Sequence, residues 1–172
     1  MEPIIKPYDH SENEQKGYLF EQWVVSQFPE FKFLLHEWRS DKRCGDRVPK
    51  SSYNPDLVFQ MFNSKRKLFF AVECKWRAKS FDGNYPWAVV NKRIVYNKYG
   101  VKLQMPIYVA IGIGGFPDKP ESSYLIPFEK IRYKDFLNQQ LLMNYPWPKD
   151  FIELRNYFID PKNHGQLFKR RL

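Results

Sequence analysis

The stretch from Asn54 to Arg77, NPDLVFQMFNSKRKLFFAVECKWR, limits what this chain can fold into more than any other: two apolar runs flank a polar break at Asn63 to Arg66. That pattern reads as two strands joined by a turn. A fold-back between Ser64 and Lys65 makes an antiparallel hairpin in which Leu57, Phe59 and Met61 face Val72, Phe70 and Leu68. Successive strand residues point to opposite faces, so this side, extended by Cys74 and Trp76, is wholly apolar and belongs to a core. The other side sets Asp56, Val58 and Gln60 against Glu73, Ala71 and Phe69, then adds Lys75 and Arg77. It is apolar at the turn end and charged at the far end.

Asp56 opposite Glu73 is the informative pair. Facing residues have β-carbons about 4.5–5.5 Å apart, and like charges there disfavour pairing. A divalent cation removes the conflict, because hard ions such as Mg²⁺ take carboxylate oxygens. Lys75 shares the face, where its ammonium can hold or polarise a water or stabilise an oxyanion. Two carboxylates, one ion and one lysine make a site able to hydrolyse a phosphodiester. Taken singly, Asp after Asn-Pro is an ordinary turn residue and Glu-x-Lys an ordinary half-exposed strand. The shared register favours the site.

Pro55-Asp56, the hairpin and Glu73-Cys74-Lys75 resemble the PD-(D/E)xK motif of the restriction-endonuclease-like nuclease superfamily, over about residues 11 to 112. The resemblance implies a Mg²⁺-dependent endodeoxyribonuclease, with Mn²⁺ able to substitute. It implies that Asp56 and Glu73 hold the ion, that the backbone carbonyl of Cys74 is a further ligand and that Lys75 positions the attacking water. The products would carry a 5′-phosphate and a 3′-hydroxyl. DNA is the expected substrate, RNA is left open, and a homodimer is allowed because many relatives cut as dimers. Fold does not guarantee reaction. The alternative is therefore an inactive nucleic-acid-binding or partner-docking module of the same fold.

Upstream, Ser11-Glu12-Asn13-Glu14 reads as a capping box, and Phe20, Trp23, Val24, Gln27 and Phe28 keep a helical period that Pro29 ends. Glu21 lies on the flank of that stripe, where spacing alone leaves it either solvated or part of a site. Gly17-Tyr18-Leu19-Phe20-Glu21 resembles the family's first helix, which implies that Glu21 supports the metal through water or holds a second ion. Phe31 to Ser40 suits a strand of imperfect alternation, with His36 packed or hydrogen-bonded. Ala78 to Pro86 is a loop with a turn at Asp82-Gly83-Asn84. Trp87 to Tyr99 is a helix closed by Gly100, with Val90, Ile94 and Val95 on the sheet and Asn91, Lys92, Arg93 and Lys98 outside. Met105 to Gly112 is a strand buried on both faces.

The resulting fold is α/β, an αβββαβ core whose central mixed sheet is flanked by helices. Residues 113–172 form an added C-terminal segment packing on that core: a short edge strand at Tyr124 to Ile126, a helix from Pro127 to Leu142, then a wrapping segment with a basic tail at Lys169-Arg170-Arg171. Gly112-Ile113-Gly114-Gly115 lacks the lysine and helix of a phosphate-binding loop and reads as a flexible strand end.

With 28 basic against 19 acidic residues the net charge is +9, which suits a polyanionic partner. The candidate nucleic-acid contacts are Lys42, Arg43, Arg47 and Lys50 in the polar loop 41–53, Arg77 at the strand end, Lys92, Arg93 and Lys98 on the helix, and Gln104 before the last strand. For the loop residues, a solvated charge run is an equal reading. Two cysteines, Cys44 and Cys74, cannot build a disulfide framework, and no Cys/His spacing suits zinc. No segment has the length of a signal or transmembrane helix, so the expectation is one cytoplasmic domain spanning 1–172, away from membranes.

Overall fold

The computed structural model describes residues 12–39, 50–63, 66–160 and Lys162. Ser11, Lys42, Arg43, Cys44, Arg47 and the Lys169-Arg170-Arg171 tail lie outside the described residues, as does the side chain of Lys50.

Helix α1, Glu12–Ser26, buries Phe20 and Val24 and is followed by strand β1, Phe33–Trp38. A short 3₁₀ turn at Lys50–Tyr53 leads to the hairpin of β2, Leu57–Asn63, and β3, Arg66–Arg77. Its register pairs Leu57 with Val72, Phe59 with Phe70 and Met61 with Leu68, as side-chain alternation requires. Next come β4, Asn84–Pro86; helix α2, Val90–Leu103; β5, Ile107–Phe116; and β6, Lys119–Pro127. Five strands form one sheet in the order β1-β2-β3-β5-β6. Only the β3–β5 pairing within it is parallel, and α2 supplies the crossover such a pairing needs.

Each face of the sheet carries a core. On one, Phe20, Val24, Phe28, Phe33, Phe59, Phe70 and Tyr108 pack with Leu154 and Phe158. On the other, Val58, Ala71, Val109 and Ile111 pack with Trp87, Tyr96, Phe128, Ile131 and Leu137.

The later chain departs from expectation. The region read as one helix from Pro127 to Leu142 is α3, Phe128–Ile131, then β7, Phe136–Asn138, then α4, Gln139–Leu142. The helix breaks because β7 pairs with β4 and buries Leu137, while the Asn138 side chain caps α4 by accepting from Leu141 N–H. The edge strand β6 is nine residues long rather than three. Its outer edge is partly covered, Leu125 N–H donating to Tyr145 O and Trp147 N–H to Ser123 O at 3.0 Å each. The wrapping segment contains an unexpected helix, α5, Phe151–Ile159, which Asp150 caps by accepting from Glu153 N–H.

The second crossover element is also shifted. α2 begins three residues after Trp87 and runs through Gly100 to Leu103, where Gln104 in a left-handed conformation (φ 50°) ends it. A β-carbon on Gly100 would lie 3.1 Å from Met105 O and 3.3 Å from Ile107 Cδ1. Close approach of helix to strand, rather than helix termination, explains that glycine. The buried face of α2 is Arg93, Tyr96 and Gly100, whereas Val90 and Ile94 point outward.

Candidate active site

The charged end of the hairpin is a fork. β3 continues past the last β2 pair, Leu57 with Val72, and its residues Glu73 to Arg77 pair only with β5, from Val109 to Ile113. The chain before β2 turns aside because Arg39 holds it: Arg39 N–H donates to Asp56 O at 2.7 Å and its Nη1 to Pro55 O at 2.8 Å. The Asp56 side chain takes the vacated place in the ladder, its Oδ2 accepting from Cys74 N–H at 2.7 Å. In a strand the N–H and C=O of one residue share an edge, so the Cys74 carbonyl also faces the Asp56 side. The Cys74 side chain turns into the first core.

Glu73 is wholly buried. Its Oε1 accepts from the Lys75 ammonium and lies 3.8 Å from Lys92 Nζ. Its Oε2 is buried with no donor at full hydrogen-bond geometry, while the Tyr96 hydroxyl approaches the carboxylate and favours its charged form. Burial pushes Glu73 up, but Lys75 and Lys92 outweigh that and hold it below the usual range. Asp56 goes the other way: burial, then the charge of Glu73, push it well above the usual range against the pull of Lys75. Burial alone would pull Lys75 down, yet Glu73 and Asp56 raise it, so it stays an ammonium. Two buried acids this close favour retention of one proton between them.

A hard divalent cation fits this donor set. Asp56, Glu73 Oε2 and the Cys74 carbonyl offer oxygen donors of the kind Mg²⁺ takes while keeping several waters. Among the described residues, no three His, Cys, Asp or Glu side chains cluster closely enough to form an all-protein cage.

Glu21 reaches the fork from α1. A β-carbon on Gly112 would lie 2.4 Å from the Phe20 ring, so only glycine lets α1 settle on β5 at that height. Glu21, next in sequence, then acts on Asp56 through its charge and accepts a hydrogen bond from Trp38 Nε1.

The remaining sequence candidates divide. Lys92 joins the site, and Lys98 is exposed on α2. Arg77 donates from Nε to Pro86 O and from Nη1 to Trp76 O, at 2.8 and 2.9 Å, so the backbone already occupies much of its guanidinium. Arg93 corrects the expectation of an outward helix face: it is buried against Asp135 and turned away from solvent. Gln104 is the α2 cap. Sequence reasoning missed Arg39 and Tyr96. The i, i+4 spacing of Lys92 and Tyr96 could have signalled one helix face aimed at Glu73. Nothing local marks Arg39.

The order of elements and the mixed sheet are those of the restriction-endonuclease-like fold. A solved structure with this fold, Hjc from the archaeal hyperthermophile Archaeoglobus fulgidus, a Holliday junction resolvase, is similar to the chain. The TM-score is 0.51 at 13% identity, over 76% of this chain and 94% of that one. No family model and no curated protein sequence matches the chain.

Proposed function

We propose that the protein is a divalent-metal-dependent nuclease that hydrolyses DNA phosphodiester bonds at the β2–β3 fork. The observation that carries this reading is the buried Asp56–Glu73 pair, with one carboxylate oxygen undonated and the Lys75 ammonium alongside. With both acids ionised, Asp56 and Glu73 repel one another beside Lys75 and the more distant Lys92, and a divalent cation would offset that repulsion in place of a retained proton.

Asp56, Glu73 and the Cys74 carbonyl would hold Mg²⁺, or Mn²⁺ in its place. When bound, the ion supplies Lewis acidity and a water of lowered pKa. Lys75, held protonated by its acidic neighbours, orients the attacking water and balances charge developing on the phosphate. Glu21, tethered by Trp38, positions a water on the α1 side. Lys92 is the second ammonium within reach of the fork, and once a cation satisfies Glu73 it is available to a phosphate oxygen.

Cleavage of linear, circular, branched and single-stranded DNA with and without Mg²⁺ or Mn²⁺ tests the proposal, with Asp56→Ala and Lys75→Ala as controls. The reading requires metal-dependent products that both substitutions abolish. Binding of DNA without any cleavage, and without divalent-ion affinity, would leave the inactive binding module of the same fold. Parallel reactions on duplex RNA rank the two nucleic acids.

A further inference from the structure

We propose that the Tyr18–Trp38 ring pair beside Glu21 is a stacking subsite for an unpaired nucleobase, so that the preferred DNA carries single-stranded nucleotides next to the cleaved bond. The cleavage half of this rests on the nuclease reading; the binding half does not.

The placement of Trp38 is the starting observation. β1 pairs with β2 in regular register from Phe33–Met61 to Leu35–Phe59, then slips by one residue, so that Glu37 faces Val58 and Trp38 faces Leu57. His36 is the extra residue of a β-bulge. Without it, alternation would turn Trp38 to the α2 face of the sheet. With it, the indole emerges on the α1 face, where it meets Tyr18 and Glu21.

There the two rings stack with centroids 5.3 Å apart and planes 9° from parallel. The indole N–H donates to Glu21, whose charge also acts on Asp56, so the ring pair lies beside the fork. Tyr18 is 42% and Trp38 37% exposed, so the stacked pair is held by the fold and still open to solvent on one side. A pair already parallel, fixed and half-open offers a flat apolar face that another ring can extend at little entropic cost.

The occupant follows from its surroundings. A planar ring attached to a phosphate chain matches both the aromatic face and the net charge of +9. Inside a duplex each base is already stacked on its neighbours, so only a base at a flap, tail or splayed junction can use the platform. Stacking on a protein ring accepts any base, so the subsite selects strand structure rather than sequence.

The test uses the full chain in EDTA, where no cleavage occurs, with duplexes that are blunt or carry a short single-stranded tail. 2-Aminopurine is placed at each tail position in turn. The expected result is fluorescence quenching at one tail position by the wild-type protein, and binding of the tailed duplex about tenfold tighter than the blunt one. Tyr18→Ala should abolish both, and Tyr18→Phe should keep both. Equal affinity for blunt and tailed duplexes, or a loss in Tyr18→Ala that is the same for each, would overturn the subsite. Tail preference without cleavage under any divalent ion would instead remove the nuclease reading and leave the subsite standing.

Discussion

The two ends of strand β3 obey different rules. From Leu68 to Val72 the strand is paired with β2 throughout and with β5 at Ala71 and Val72, and Phe70 packs among rings on its core face; from Glu73 to Arg77 the β2 edge is released to Asp56, and Glu73, Lys75 and Arg77 carry charge. The closed end gains from every group it removes from water. The open end removes two carboxylates and an ammonium from water and leaves an oxygen undonated. One strand therefore anchors the fold and, five residues on, begins the cluster of buried acids and ammonium groups on which the proposed metal site rests.

The largest effect expected at the open end is chemical. Asp56→Asn or Lys75→Ala should lower metal-dependent cleavage by about a thousandfold or more, near 4 kcal/mol of barrier, while the fold persists. The same Asp56→Asn change should stabilise the metal-free protein, because the asparagine still accepts from Cys74 and carries no charge. The sign follows from linkage. Asp56 holds its proton in the folded state above the unfolded value of about 3.9, so folding binds protons and wild-type stability falls as pH rises through that window. In thermal melts in EDTA, Asp56→Asn should therefore exceed wild type at pH 7, and the gap should close below about pH 4. Equal melting at both pH values would mean the fork is not strained. Added Mg²⁺ should raise the wild-type midpoint and leave the variant unmoved.

At the closed end the corresponding experiment is Phe70→Ala. Phe70 stacks on Phe158 at 4.3 Å and on Phe59 at 5.5 Å, with Phe28 and Tyr108 also in ring contact. Its loss should cost about 3–5 kcal/mol in denaturant unfolding. Between the ends lies Arg39, which binds Pro55 O and the Tyr99 hydroxyl, the latter at 2.9 Å. Arg39→Ala should cost about 1–2 kcal/mol of stability. It should also lower kcat with KM little changed, since it positions Asp56 without touching substrate. A raised KM at constant kcat would instead mark Arg39 as a DNA contact.

Legibility in the sequence followed the same divide. The hairpin register was readable because one side of both strands is wholly apolar, and a one-residue slip would take Phe59 and Phe70 out of the first core. Extending that register pointed to Asp56, Glu73 and Lys75, which the fold does bring together, although Asp56 lies outside the ladder and reaches Cys74 N–H through its side chain rather than facing Glu73 as a strand pair. The flanks were not legible. The bulge at His36, which turns Trp38 towards Glu21, shows in the sequence only as imperfect alternation. Arg39 and Tyr96 matter through contacts distant in sequence, which no local period encodes. The stretch from Pro127 to Leu142 keeps apolar residues that suit a helix, yet pairing of β7 with β4 overrides that preference.

Helix α2 is where periodicity misled, and it gives the smallest expected effect. Val90, Ile94 and Val95 read as the buried stripe, but Val90 is 54% and Ile94 47% exposed while Arg93 and Tyr96 are buried. Three groups set the rotation: Gly100 admits the start of β5, Tyr96 joins the second core, and Lys92 is drawn to Glu73. Apolar character on the opposite face was outweighed by these contacts. Ile94→Lys should then change stability by less than about 0.5 kcal/mol, as surface substitutions do. Tyr96→Ala should cost several kcal/mol and also raise the Glu73 pKa, since it removes a group that favours the charged carboxylate. If Ile94→Lys proved the more damaging of the two in urea unfolding, the helix would be turned as its apolar residues suggest. Lys92 and Tyr96 would then leave the fork, and the contrast between the ends of β3 would lose its charged half's second ammonium.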